Sequence, residues 1–236
     1  MCGRYVSPEQ AAIERLWHIG RHNSNPFDRM FNVAPTTLVP MLRFDPAVKE
    51  VALTSARWGL IPHWWDKAKP PNFTFNARLE EAASKPVWRH PLRHARCLLP
   101  ALGWYEWQVI ERIDPATGEI KIFKQPHFIH RRDAVPFCFA GLMSLWSPPE
   151  SSESQVTCAI LTQAAAGPAA EVHGRMPVIL PDNAHAAWLD ATITEAGEIV
   201  SIIQTHVVTD ALEHYPVSTR VNNARSQGPE LIEPLL

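Results

Sequence analysis

Apolar and polar positions along this chain alternate mostly with a period of two, in short runs. Leu38 to Phe44 and Glu50 to Arg57 are two such runs with Asp45-Pro46 between them, a pattern that predicts a hairpin. Asn32-Val33-Ala34-Pro35-Thr36 reads as a loop entering the first of them. Arg96-Cys97-Leu98-Leu99-Pro100 predicts a buried strand leading into the aromatic run Gly103-Trp104-Tyr105-Glu106-Trp107. Asp114 to Glu119 marks a turn, followed by strand-like runs at Ile120 to Phe123, Phe128 to Ile129, Phe137 to Leu142 and Val156 to Gln163; Tyr215-Pro216-Val217-Ser218 predicts a last strand. Helical spacing is confined to short segments. Ala12, Ile13, Leu16 and Trp17 follow Ser7-Pro8-Glu9-Gln10, which predicts a Ser cap, Pro at the first helical position and a capping box, with Gly20 as the stop. Asp182 to Leu189 and Glu195 to Gln204 predict two more helices, the second opened by Thr192-Ile193-Thr194-Glu195. Phe75-Asn76-Ala77-Arg78-Leu79-Glu80 suggests another helix start, capped by Asn76 with Arg78 in its first turn. The tail from Arg220 reads as loop, packed through Leu231, Ile232 and Leu235.

The length of 236 residues suffices for a sizeable core, and no Gly/Ser-rich linker or repeat divides it, so one domain over 1–236 is expected, with Ser147 to Ser154 as an exposed loop. Cys2, Cys97, Cys138 and Cys158 follow no secretory segment, which predicts a reduced, cytoplasmic protein; the three internal cysteines lie in apolar runs and read as buried. No C-x-x-C or H-E-x-x-H spacing occurs, so no metal or cofactor is expected. No apolar run is long enough to predict a membrane span. The net charge is −2, yet Arg57 to Pro100 holds eight Lys/Arg against three acids, and the remainder fourteen against twenty-one. A locally basic surface on an acidic body fits a polyanion groove as well as a solvated helix face.

The candidate chemistry starts at Met1-Cys2-Gly3-Arg4-Tyr5. Removal of Met1 would give Cys2 an α-amine (pKa about 8) beside its thiol (about 8.5), a 1,2-aminothiol with useful nucleophilic fractions of both groups at neutral pH. With an aldehyde, the amine forms an imine and the sulfur closes a thiazolidine. Arg4 supplies a fixed cation for an anionic substrate. Trp58, Trp64 and Trp65, flanked by Arg57 and Lys67, offer stacking faces and phosphate contacts, with at least one Trp expected in the core. Arg78 in a helix's first turn would oppose the dipole unless an anion joined it. Glu106 among aromatics is either solvent-facing or desolvated and suited to proton transfer. His173 and Arg175, two residues apart, would share a face in an extended segment and pair a proton shuttle with a phosphate binder.

Together these segments, with Phe139-Ala140-Gly141-Leu142 and His173-Gly174-Arg175-Met176-Pro177-Val178-Ile179, resemble the SOS-response-associated peptidase family, the abasic-site processing proteins, in order and spacing across nearly the whole chain. The resemblance implies a single α+β domain with a β-rich, barrel-like core of mostly antiparallel strands flanked by short helices. It implies binding of single-stranded DNA containing abasic sites and covalent cross-linking to the abasic-site aldehyde, with an AP-lyase side activity and a monomeric state expected. The family's nucleophile falls on Cys2, its Asn on Asn76, its acid on Glu106 and its His on His173. Its DNA contacts fall on Arg4, Arg78, Arg175 and Trp107, beside the stacking candidates Trp64 and Trp65. Trp104, Leu102 and Gly174 depart from the residues the family commonly has. Two other readings compete: an N-terminal-nucleophile cysteine amidohydrolase or peptidase, and a non-catalytic single-strand DNA binder.

Overall fold

The computed structural model describes residues 2–19, 27–113, 117–149, 153–205, 209 and 211–235. Met1, the predicted stop at Gly20 and the turn residues 114–116 lie outside them. In chain order the elements are β1 (Tyr5–Ser7), α1 (Gln10–Leu16), β2 (Met30–Val33), β3 (Leu38–Asp45), β4 (Glu50–Trp58), β5 (Asn76–Arg78), α2 (Leu79–Ala82), α3 (Pro86–His94), β6 (Arg96–Ala101) and β7 (Gly103–Ile113). There follow β8 (Ile120–Arg131), β9 (Phe137–Trp146), β10 (Gln155–Ala164), α4 (Ala169–Val172), β11 (Arg175–Pro177), β12 (Ile179–Leu180), α5 (Asp182–Leu189), α6 (Ala196–Thr205) and β13 (Leu212–Pro216). Two 3-10 turns, Thr219–Asn222 and Pro229–Ile232, occupy the tail.

The architecture is α+β, with strands β10, β4, β3, β6 and β9 closing on themselves. The β10–β4 pair is parallel and the other four pairs are antiparallel, so β9 meets β10 and completes a five-stranded mixed barrel. Closure removes free edges from the core strands. β5 and β11 pair with β10, and β12 with β9. A second sheet runs β13-β8-β7-β1-β2.

Period-two alternation sorts the barrel side chains into two cores. Leu98, Ala140, Leu142, Ala159 and Leu161 pack with Trp88 and Leu92 of α3, Trp188 of α5 and Ile199 and Ile203 of α6. The other parity, Cys97, Leu99, Phe139, Cys158 and Ile160, packs with Trp58 and with Cys2, Tyr5, Trp104 and Ile129 from the N-terminal segment and the second sheet. Both faces of β6 are therefore buried, which is why Arg96–Ala101 reads as an unbroken run. Cys97, Cys138 and Cys158 are buried and free, as expected.

Gly103 sits where the chain passes from barrel to second sheet. A Cβ there would lie 2.6 Å from the Ile129 carbonyl oxygen and overlap the Phe128 ring. Only a glycine lets β7 approach β8 this closely.

Four local expectations are corrected. Ser7 ends β1 rather than capping α1, whose cap position is Glu9 with no side-chain bond. Asn76 caps no helix; it lies in β5, opposite Ile160 of β10, and α2 starts three residues later behind Arg78. The helix expected over Glu195–Gln204 is present as α6, but Thr192 does not open it: its hydroxyl donates to Asp190 Oδ1 (2.7 Å). The segments around Phe123 and Phe128 are one strand of 12 residues.

Candidate active site

Cys2 is held by strand pairing and by one side chain. β1 pairs with β7 through Tyr5↔Trp104 and Val6↔Gly103, and the Tyr105 N–H donates to the Arg4 carbonyl (3.0 Å). Residues 2–4 therefore run beside Tyr105–Trp107. On the barrel side, Asn76 Nδ2 donates to the Cys2 carbonyl at 2.6 Å. Asn76 Oδ1 is buried with no hydrogen-bond partner among the described residues. An unsatisfied buried acceptor is destabilising by roughly 1–3 kcal/mol, a cost tolerated where a ligand or reacting group supplies the donor.

Burial dominates the electrostatics. The Cys2 thiol, fully buried, is pushed well above its ordinary value by desolvation and by the nearby Glu106 charge. Glu106 is 3% exposed, and burial raises its carboxyl from 4.5 to about 7. Of the two environments open to it in the sequence, the desolvated one is therefore observed. Burial also holds the His173 imidazole below its usual value. A neutral thiol, a carboxyl poised near neutrality and a neutral imidazole give proton donors and acceptors around one backbone segment.

His173 follows the single turn of α4 as its C-cap, and the Arg175 backbone N–H lies 2.9 Å from its Nδ1, which fixes the ring. α4 is itself clamped. Gln108 Nε2 donates to the Glu171 carbonyl (3.0 Å), Glu171 Oε2 lies 3.2 Å from His214 Nε2, and His214 Nδ1 lies 3.1 Å from His127 Nδ1. His127 stands opposite Glu106 in the β7–β8 register. Glu106, Trp107, Val109, Lys124, His173 and Asn222 line one open depression of about 530 Å³.

The basic candidates differ in how far they are engaged. Arg4 donates through Nη1 to Asn32 Oδ1 (3.1 Å) and the Val221 carbonyl (2.9 Å), tying the N-terminus to the tail. Arg175 forms a bidentate pair with Glu80 (2.7 and 3.0 Å) and donates to the Thr162 carbonyl (2.7 Å). Arg78 is half exposed, with Glu81 at 3.9 Å. Trp107 Nε1 donates to Asn222 Oδ1 (2.7 Å). Trp64 and Trp65 do not line this depression. They lie on the excursion between Trp58 and Asn76, where Trp64 is 50% exposed and Trp65 Nε1 donates to the Lys69 carbonyl (2.9 Å). Lys124, Asn222 and the clamp residues Gln108, Glu171, His127 and His214 escaped sequence reasoning, since only the sheet register gathers them. Among the described residues no cluster of His, Cys, Asp and Glu is arranged to hold a metal, and no helix is long and apolar enough to cross a membrane.

A mixed barrel with a buried Cys2 gripped by a β5 asparagine defines the class, and the chain belongs to the SOS response associated peptidase (SRAP) family, whose model matches residues 1–224. Among its relatives are the abasic site processing proteins YoqW of Bacillus subtilis, 34% identical over 99% of both chains, and YedK of Escherichia coli, 32% identical over the full length of both. A crystal structure of a Bacteroides thetaiotaomicron protein shares the fold along the whole of both chains, with a TM-score of 0.80 at 21% identity.

Proposed function

We propose that the protein processes abasic sites in single-stranded DNA, and that Cys2, freed of Met1, cross-links to the sugar aldehyde as a thiazolidine. The observation that carries this reading is the Asn76 grip on the Cys2 carbonyl beside a carboxyl that titrates at about 7. An arbitrary residue on a frayed terminus would be neither fully buried nor hydrogen-bonded by a buried amide.

The chemistry follows from the proton inventory. The Cys2 amine adds to the aldehyde carbon to give a carbinolamine. The protonated fraction of Glu106 donates its proton to the departing hydroxyl, and water leaves as the C=N bond forms. The Glu106 carboxylate so generated accepts the thiol proton as sulfur adds to the imine carbon, and the imine electron pair returns to nitrogen. This gives the buried thiol, otherwise held neutral, a base at the step that needs one. Asn76 Oδ1 accepts from the free amine, and the neutral His173 imidazole takes the proton from its ammonium form. The imine stage also allows β-elimination, hence a lyase side activity. Arg4, Arg78, Arg175, Trp107, Trp64 and Trp65 hold the strand, and one domain over 1–236 acts as a cytoplasmic monomer.

The test is a denaturing gel of purified protein with an abasic oligonucleotide. A heat-stable adduct in the wild type that is lost in Cys2→Ala, with reversible binding retained, supports the reading. An undiminished adduct in Cys2→Ala overturns it, and reversible binding alone in the wild type leaves the non-catalytic binder.

A further inference from the structure

The basic stretch singled out by charge is only partly accounted for by the residues around Cys2. Two of its three acids are taken: Glu80 by Arg175, Glu81 by Lys85 (2.6 Å) and Arg78 (3.9 Å). Arg89 and Arg93, one turn apart on α3, make no ion pair among the described residues. Beside them stands a column of imidazoles, with the His63 and His90 rings 5.1 Å apart and His90 and His94 5.0 Å apart. Two adjoining depressions share Arg89 and His90. One, about 470 Å³, is completed by His63, Trp64 and Pro86, and the other, about 340 Å³, by Ala83, Arg93 and His94; among the described residues no carboxylate lines either. Arg93 and His94 also suit the C-terminal end of the α3 dipole. That account leaves Arg89, His63 and the half-exposed Trp64 ring unexplained.

We propose that α3 is a phosphate track: a single DNA strand with a base stacked on Trp64 continues over His63, Arg89, His90 and Arg93, outside the Cys2 depression. The proposal rests on the single-strand reading above and adds a second, non-reacting segment to the footprint. An exposed indole next to guanidinium groups fits an unpaired nucleotide better than an acidic peptide, which offers no flat ring to stack. The chemistry also gives a pH signature. Burial and the charges of His94 and His63 hold His90 below its ordinary value, and no acid figures among the groups acting on it. The groups bordering it are Arg89, Arg93, His63 and His94; α2 carries Glu80, already paired with Arg175, and Glu81, already paired with Lys85. Without DNA the charged form of His90 is disfavoured, and a phosphate beside it compensates its charging, so affinity rises as pH falls.

The experiment uses an unreactive abasic analogue, so that binding is read apart from cross-linking. Two labelled strands, a short one of ~5 nucleotides and a long one of ~20, bracket a single-domain footprint. For Arg89→Ala/Arg93→Ala we expect at least a tenfold loss on the long strand and little on the short one. The salt slope on the long strand should shallow by about 1.4, two phosphates at about 0.7 each. The wild-type gain in long-strand affinity from pH 8 to pH 6 should vanish in His63→Gln/His90→Gln. Melting temperatures equal to wild type confirm the fold. Equal losses on both strands, or none, with normal wild-type binding would overturn the track alone. Failure of the wild type to bind either strand would overturn the single-strand reading, and the track with it.

Discussion

Replacing Glu106 by Gln should make the protein more stable and less active, with the stability gain confined to one pH window. Glu106 is 3% exposed, and its carboxyl moves from 4.5 to about 7 on burial. At about 1.4 kcal/mol per pH interval, its ionised form is disfavoured in the folded state by roughly 3 kcal/mol. The sign follows from proton binding. Below 4.5 the group is protonated folded and unfolded, and its titration contributes nothing. Between 4.5 and 7 the folded state holds a proton that the unfolded chain releases, so stability falls with rising pH, and above 7 the full penalty of the buried carboxylate is present. The amide of Gln has nearly the same shape and carries no charge. Glu106→Gln should therefore match wild type in a melt at pH 4.5 and exceed it at pH 8.5, by up to about 6–12 °C if the full 3 kcal/mol is recovered. Adduct formation should slow by 10²–10⁴, the range for losing a positioned acid–base group. Scanning calorimetry across pH, paired with gel timing, checks both. An equal melting difference at both pH values, or undiminished adduct formation, would refute the role given to the buried carboxyl.

The other predictions concern the supports of the site. Asn76→Ala removes the donor to the Cys2 carbonyl (2.6 Å); it should slow adduct formation about tenfold or more, since misplacing a reacting group costs that much, while affinity for an unreactive abasic strand stays within twofold. Arg175→Ala breaks the bidentate pair with Glu80 and the bond to Thr162; calorimetry should show a loss of about 1–2 kcal/mol, and the salt slope of strand binding should shallow. His214→Ala releases Glu171 and with it α4; quench-gel timing should show a slower adduct with unchanged strand affinity, and His214→Asn, which keeps a donor, should restore part of the rate.

Much of the strand inventory was legible in the sequence, because alternation and turn residues are local signals. The Asp45-Pro46 hairpin and helix Asp182–Leu189 fall where expected. Barrel closure was not legible. It depends on the parallel β10–β4 pair and the return of β9 to β10, contacts that no local pattern encodes. The misplaced caps have the same origin. Ser7 and Asn76 carry good capping side chains, yet pairing with β2 and β10 offered their backbones more than a helix start would. Cys2, Asn76, Glu106 and His173 stood out as candidates by residue type and by resemblance. Their approach to one another comes from β1, β5, β7 and α4, which only the fold unites. The Glu171–His214–His127 clamp spans 87 residues and left no motif to read.

The central claim is that the Cys2 α-amine and thiol together form the link to DNA. The most direct measurement is intact mass spectrometry of the protein after incubation with an abasic single strand, run on three forms: lacking Met1, carrying an uncleavable N-terminal extension, and carrying a C-terminal tag. A heat-stable adduct, at the summed mass less one water, is expected in the first and third forms and none in the second. A heat-stable adduct of the N-terminally extended protein, formed at the normal rate, would contradict it.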